Sequence, residues 1–108
     1  MRRILNPAIT SFDAFYKALV GFVHTGKPCY SVRDKKEYQS WMEEGVICMS
    51  GEDRKNPSLY DKSQLEQVFN IVRKSDNIKT EMLKEAVSRE RSPTLALMVA
   101  SGVVVEKL

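Results

Sequence analysis

From Phe12 onward, apolar residues recur at spacings of three and four through Phe15, Tyr16, Leu19 and Phe22 to Val23, which predicts one buried stripe of a helix. Thr10–Asp13, TSFD, supplies a hydroxyl at the N-cap and a carboxylate three residues on, and Gly26 and Pro28 end the helix. The next stretch, CYSVR, predicts a short strand. Asp34 and Glu37 then form a second capping pair, with Tyr38, Trp41 and Met42 as a brief helical face that Gly45 closes. The run Val46–Met49, VICM, predicts a buried strand, and SGEDRKNPS after it a surface loop.

Asp61 with Gln64 opens a third helix, which carries Leu65, Val68, Phe69 and Val72 inward; Arg73 and Lys74 suit its carboxyl end. A fourth helix follows Ser75–Asn77, with Ile78, Met82, Leu83, Ala86 and Val87 as its apolar positions. Ser92 and Pro93 are placed as N-cap and first residue of a fifth, Pro93 to Ser101, which Gly102 stops before a terminal strand, VVVE. The expected fold is therefore α+β and mostly helical, with about five short helices and two or three short strands in one compact domain, residues 1–108.

Eleven consecutive residues, Leu95 to Val105, carry no charge. That is well short of the roughly 20 needed to cross a bilayer. The tail is instead expected to close the core or to form a homo-oligomer seam through Leu95, Leu97, Met98, Val99, Val103 and Val105.

Charge adds a division along the chain. The net charge is +3, but residues 1–36 hold seven basic side chains against Asp13 and Asp34, while residues 37–57 hold two against five acids. The amino-terminal third thus leans toward anions. Residues 61–108 also run helix, helix, helix, strand, the element order of a winged helix-turn-helix, whose phosphate contacts would be Lys79, Lys84, Arg89 and Arg91. The helix that would read bases offers only Thr94 and Ser101 for that purpose, so nucleic-acid binding is the alternative reading.

Candidate chemistry is sparse. His24, Cys29 and Cys48 lack the paired spacing of a structural zinc site, so no metal is expected. With one histidine and scattered carboxylates, no nucleophile has an evident base, and Gly45 and Gly51 are isolated; neither an enzyme nor a cofactor is expected. Whether the two cysteines pair is open on count alone. Asn6, Pro7 and Asp13 interrupt any secretory apolar stretch, which favours reduced thiols and a cytoplasmic setting. RERSP makes Ser92 a candidate phosphorylation site as well as a cap.

One hexapeptide, Ser40–Gly45, SWMEEG, resembles the inhibitory helix of Fic-type adenylyltransferases and their antitoxins. The likeness covers six residues, and no family is assigned on it. The expected function is that of a small non-enzymatic regulator, an adaptor or inhibitor of the kind phages and mobile elements encode, which binds another protein. Large apolar residues in excess of one small core would supply the anchors. Its candidate contacts are Trp41, Glu43, Glu44, Arg54, Lys55 and Tyr60.

Overall fold

The computed structural model describes residues 2–51 and 55–107. Six strands and three helices of eleven residues or more build it, with a single extra helical turn. This corrects the expected five helices and two or three strands: the chain is α+β, with about a quarter of its residues in strands, and is not mainly helical.

Strand β1 (Arg2–Leu5) pairs antiparallel with β6 (Val104–Lys107), so both ends of the chain meet in a two-stranded sheet. Asn6 locks the pair. Its backbone N–H donates to the Val103 carbonyl at 2.8 Å, and its side-chain amide donates to the Gly102 carbonyl at 3.0 Å. On the other edge of β1, the Ile78 N–H donates to the Arg3 carbonyl at 2.7 Å, which ties the 77–80 segment to the same strand.

Helix α1 (Phe12–His24) starts at Ser11, one residue after the expected cap, with the Ser11 hydroxyl accepting from Ala14. Gly26, at φ +72°, turns the chain out as expected. Strands β2 (Cys29–Tyr30), β3 (Glu37–Glu43), β4 (Val46–Gly51) and β5 (Ser58–Tyr60) then form an antiparallel meander in sequence order.

The segment expected as a second helix is β3. Its spacing of Tyr38, Trp41 and Met42 fits a helix better than a strand, which turns Tyr38, Ser40 and Met42 to one face and Glu37, Gln39, Trp41 and Glu43 to the other. Pairing with the apolar β4 decides between the two, because a six-residue ladder satisfies both backbones and buries Ile47 and Met49. Glu44 and Gly45 link the strands, both at positive φ (+50° and +79°), which is the backbone of a two-residue hairpin turn. Gly45 thus turns a hairpin instead of stopping a helix. SWMEEG is strand and turn, so its likeness to an inhibitory helix does not hold.

Helix α2 (Lys62–Val72) has the expected capping box: Asp61 accepts from the Gln64 N–H at 2.7 Å, and Gln64 accepts from the Asp61 N–H at 3.1 Å. The expected fourth helix is replaced by a 3-10 turn at Thr80–Leu83, one helical turn α3 (Lys84–Val87) and a second 3-10 turn at Ser88–Glu90. It still delivers Ile78, Leu83 and Val87 to the core. Helix α4 (Arg91–Ser101) begins two residues earlier than expected. Ser92 does not cap it; the Thr94 hydroxyl donates to the Glu90 carbonyl at 2.6 Å inside the first turn.

Six consecutive α4 residues, Pro93 to Met98, are buried, because the helix packs against α1, β2, the 80–83 turn and β6. It is the central element of the fold. The core that it organises is continuous from Phe15 and Leu19 of α1 to Ile47 and Met49 of the sheet.

Candidate functional site

Two surfaces gather candidate functional side chains. The first is the outer face of the meander. Tyr38, Ile47, Met49, Ser58 and Tyr60 are turned into the protein and buried, which leaves the alternate positions facing outward. Register places Trp41 opposite Cys48 and Cys48 opposite Leu59, so the three form one row across β3, β4 and β5. Leu59 is 59% exposed, and Trp41 is half-buried. A shallow cavity of about 320 Å³ opens beside the row, lined by Glu43, Glu44, Val46, Cys48 and Leu59.

Glu43 organises this end of the sheet. Its carboxylate accepts from the Trp41 indole N–H at 3.4 Å and faces the Cys48 thiol at 3.9 Å. Burial, and after it the Glu43 charge, raises the Cys48 thiol above its ordinary value, which favours the neutral thiol. On the inner side of the hairpin, the Tyr16 hydroxyl of α1 donates to the Gly45 carbonyl at 3.4 Å, which helps fix the tip. The outward residues of β3 and β4 include Glu37 and Glu43 and no cation. With Glu44 at the turn, the face is apolar at its centre and acidic at its rim.

Of the expected contacts, Trp41, Glu43 and Glu44 meet here. Lys55 is exposed on the connection to β5, and Arg54 lies outside the described residues. Tyr60 is only 2% exposed, its hydroxyl donating to the Glu90 carbonyl, so it faces the interior. Leu59 was missed, although strict alternation between buried Ser58 and Tyr60 puts it outside; the three-residue strand was too short to announce itself after a polar loop.

The second surface is a cleft between the 31–36 turn and the 77–92 segment. A cavity of about 410 Å³ and an adjoining one of about 300 Å³ share Asp34, Thr80, Glu81 and Ser92, and so form one trough. Lys79, Arg89 and Arg91, three of the four expected phosphate contacts, line it; Lys84 lies outside on α3. Arg3, Arg33 and Lys36 join them. The basic bias of residues 1–36 was the signal for these three, but only the β1–Ile78 contact and the β2–β3 turn bring them across.

The expected oligomer seam is mostly spent within the chain. Leu95, Leu97, Met98 and Val103 are buried, which leaves Val99, 39% exposed, and half-buried Val105. Cys29 and Cys48 are free thiols on opposite faces of the sheet, since Cys29 pairs with inward Tyr38 and Cys48 with outward Trp41. Among the described residues, no group of three His, Cys, Asp or Glu side chains could hold a metal ion, and no helix is long and apolar enough to cross a membrane. Comparison with known protein families, with curated proteins and with solved structures returns no match.

Proposed function

We propose that this protein is a small non-enzymatic regulator that acts by binding another protein through the outer face of its four-stranded sheet. The observation that carries the reading is Leu59, 59% exposed on the outer face of the sheet, in one row with half-buried Trp41 and with Cys48, which is itself 1% exposed. A large aliphatic residue held more than half in water by a rigid strand gains nothing for the fold. It becomes favourable only when a second surface covers it.

The rim supports a basic partner segment. Glu37, Glu43 and Glu44 favour a segment that places Lys or Arg beside an apolar anchor, and the absence of outward cations on β3 and β4 disfavours an acidic one. A second copy of this chain would set these glutamates against each other, so the occupant is a different protein.

Nucleic-acid binding through α4 has less support. The helix buries Pro93 to Met98 and therefore has no face free to enter a groove.

The test is affinity capture from the native host with three baits: the protein itself, Leu59→Asp, and Arg33→Glu in the cleft. The expected result is a partner retained by the protein and by Arg33→Glu but lost with Leu59→Asp. Isothermal titration of that partner should show at least tenfold weaker binding for Leu59→Asp, which corresponds to about 1.4 kcal/mol. Equal capture by all three baits overturns the reading.

A further inference from the structure

The cleft between the 31–36 turn and the 77–92 segment points to a second activity. We propose that the trough between the 31–36 turn and the 77–92 segment is a binding site for a small phosphorylated ligand bearing hydroxyl groups, such as a sugar phosphate, with the phosphoryl group held by Arg3, Arg33 and Lys79 in the larger half and Arg91 bordering the adjoining one.

Three observations converge on it. The first is charge. The described lining carries six cations against two carboxylates, Asp34 and Glu81, on a chain whose net charge is only +3. Walls of low dielectric strengthen the field inside such a trough.

The second is the state of two arginines. Arg3 and Arg91 are half-buried, yet neither is paired with a carboxylate of the described residues. Nearby Arg2, which is more exposed, does reach Asp76 at 3.6 Å. Their guanidinium groups are therefore free for an anion, and a phosphate supplies the opposite charge with matching bidentate geometry.

The third is the kind of polar group between the cations. Thr80 and Ser92 line both halves of the trough and can donate to phosphate oxygens, while Asp34 and Glu81 can accept from ligand hydroxyls. A purely basic surface would suit a polyanion. Cations interleaved with two carboxylates suit a ligand with one phosphorylated and one hydroxylated end. The volume, about 410 Å³ in the larger half, falls in the range of small-molecule sites.

The probes are ribose 5-phosphate, ribose and a short DNA duplex, each titrated into the isotope-labelled protein at low salt and followed by backbone amide shifts. Saturable shifts at residues 31–36, 77–81 and 91–92 with ribose 5-phosphate, at a Kd of about 1 mM or tighter, and none with ribose, are expected. Arg33→Glu with Lys79→Glu should weaken binding at least tenfold. Lys27→Glu with Lys84→Glu, the same change of net charge at exposed positions outside the trough, should leave it within twofold. Both pairs are at exposed positions, and their urea midpoints establish that the fold is kept. No saturable binding of ribose 5-phosphate, equal loss in both double variants, or duplex binding without ribose 5-phosphate binding would each overturn the proposal.

Discussion

Replacing Leu97 by alanine tests whether α4 is the centre of this fold or a seam awaiting a second copy. Leu97 is 1% exposed and sits within six consecutive buried residues, so its side chain is enclosed by the protein itself. Truncating a leucine in such a place costs the transfer free energy of the lost methyl groups plus a cavity term, together about 2–5 kcal/mol. With a urea m-value of about 2 kcal/mol per M, a loss of about 3 kcal/mol lowers the unfolding midpoint by about 1.5 M. Val99, two residues on and 39% exposed, should respond differently: Val99→Ala is expected within about 0.5 kcal/mol of the parent. Urea unfolding followed by far-UV circular dichroism at two protein concentrations measures both. A Leu97→Ala cost below about 1 kcal/mol, or a Val99→Ala cost larger than it, would refute the placement of α4. So would midpoints that rise with protein concentration, which mark a folded state completed by a second chain.

Two further outcomes follow from groups whose environments are unusual. The Ser40 hydroxyl is buried on the inner side of β3 with no hydrogen-bond partner, so Ser40→Ala should leave stability unchanged or raise it by about 1 kcal/mol in urea unfolding. A loss of more than about 1 kcal/mol would mean that the hydroxyl is satisfied. Burial pushes the Cys29 thiol up to about 11 from its usual 9.0. As pH rises from 9 toward 11, the unfolded chain therefore loses that proton while the folded chain keeps it, and stability falls by up to about 1.4 kcal/mol per unit. Urea midpoints of the protein and of Cys29→Ala at about pH 8 and about pH 10 isolate the effect. The variant should show the flatter pH dependence, and equal slopes contradict the assignment.

Much of the helical half was legible in the sequence. Asp61 with Gln64 is a signal confined to four residues, and α2 begins where it says; the stripe from Phe12 to Val23 likewise forms one helix. Segments whose structure depends on distant partners were not legible. Arg2–Leu5 is a strand because Val104–Lys107 lies beside it, about a hundred residues away, and its own four residues show no clear alternation. The spacing of Tyr38, Trp41 and Met42 puts all three on one face at a period of 3.6 and only Tyr38 and Met42 on one face at a period of 2, so over so short a window it favours the helix that does not form. The decision rests on β4 and on Glu44 accepting a positive φ that sequence rules reserve mainly for glycine and asparagine. Thr80–Glu90 kept its apolar positions but broke into three short turns, since Ser88 at φ +36° interrupts the helix.

The candidate surfaces divide in the same way. Trp41, Glu43 and Glu44 were singled out as neighbours in the chain, and they are neighbours on the sheet face. Leu59 enters only through the β4–β5 register. Lys79, Arg89 and Arg91 were visible as a basic group, whereas the opposite wall, Arg3 and Arg33, is assembled by tertiary contacts.

The central claim is that the outer sheet face is covered by another protein. Its most direct measurement is photo-crosslinking in the native host with a benzophenone side chain at position 59, compared with the same probe at exposed position 100 on α4. One dominant protein adduct from position 59, absent from position 100 and abolished by Glu43→Lys, is the expected result. No protein adduct from position 59, or the same adducts from both positions, would contradict it.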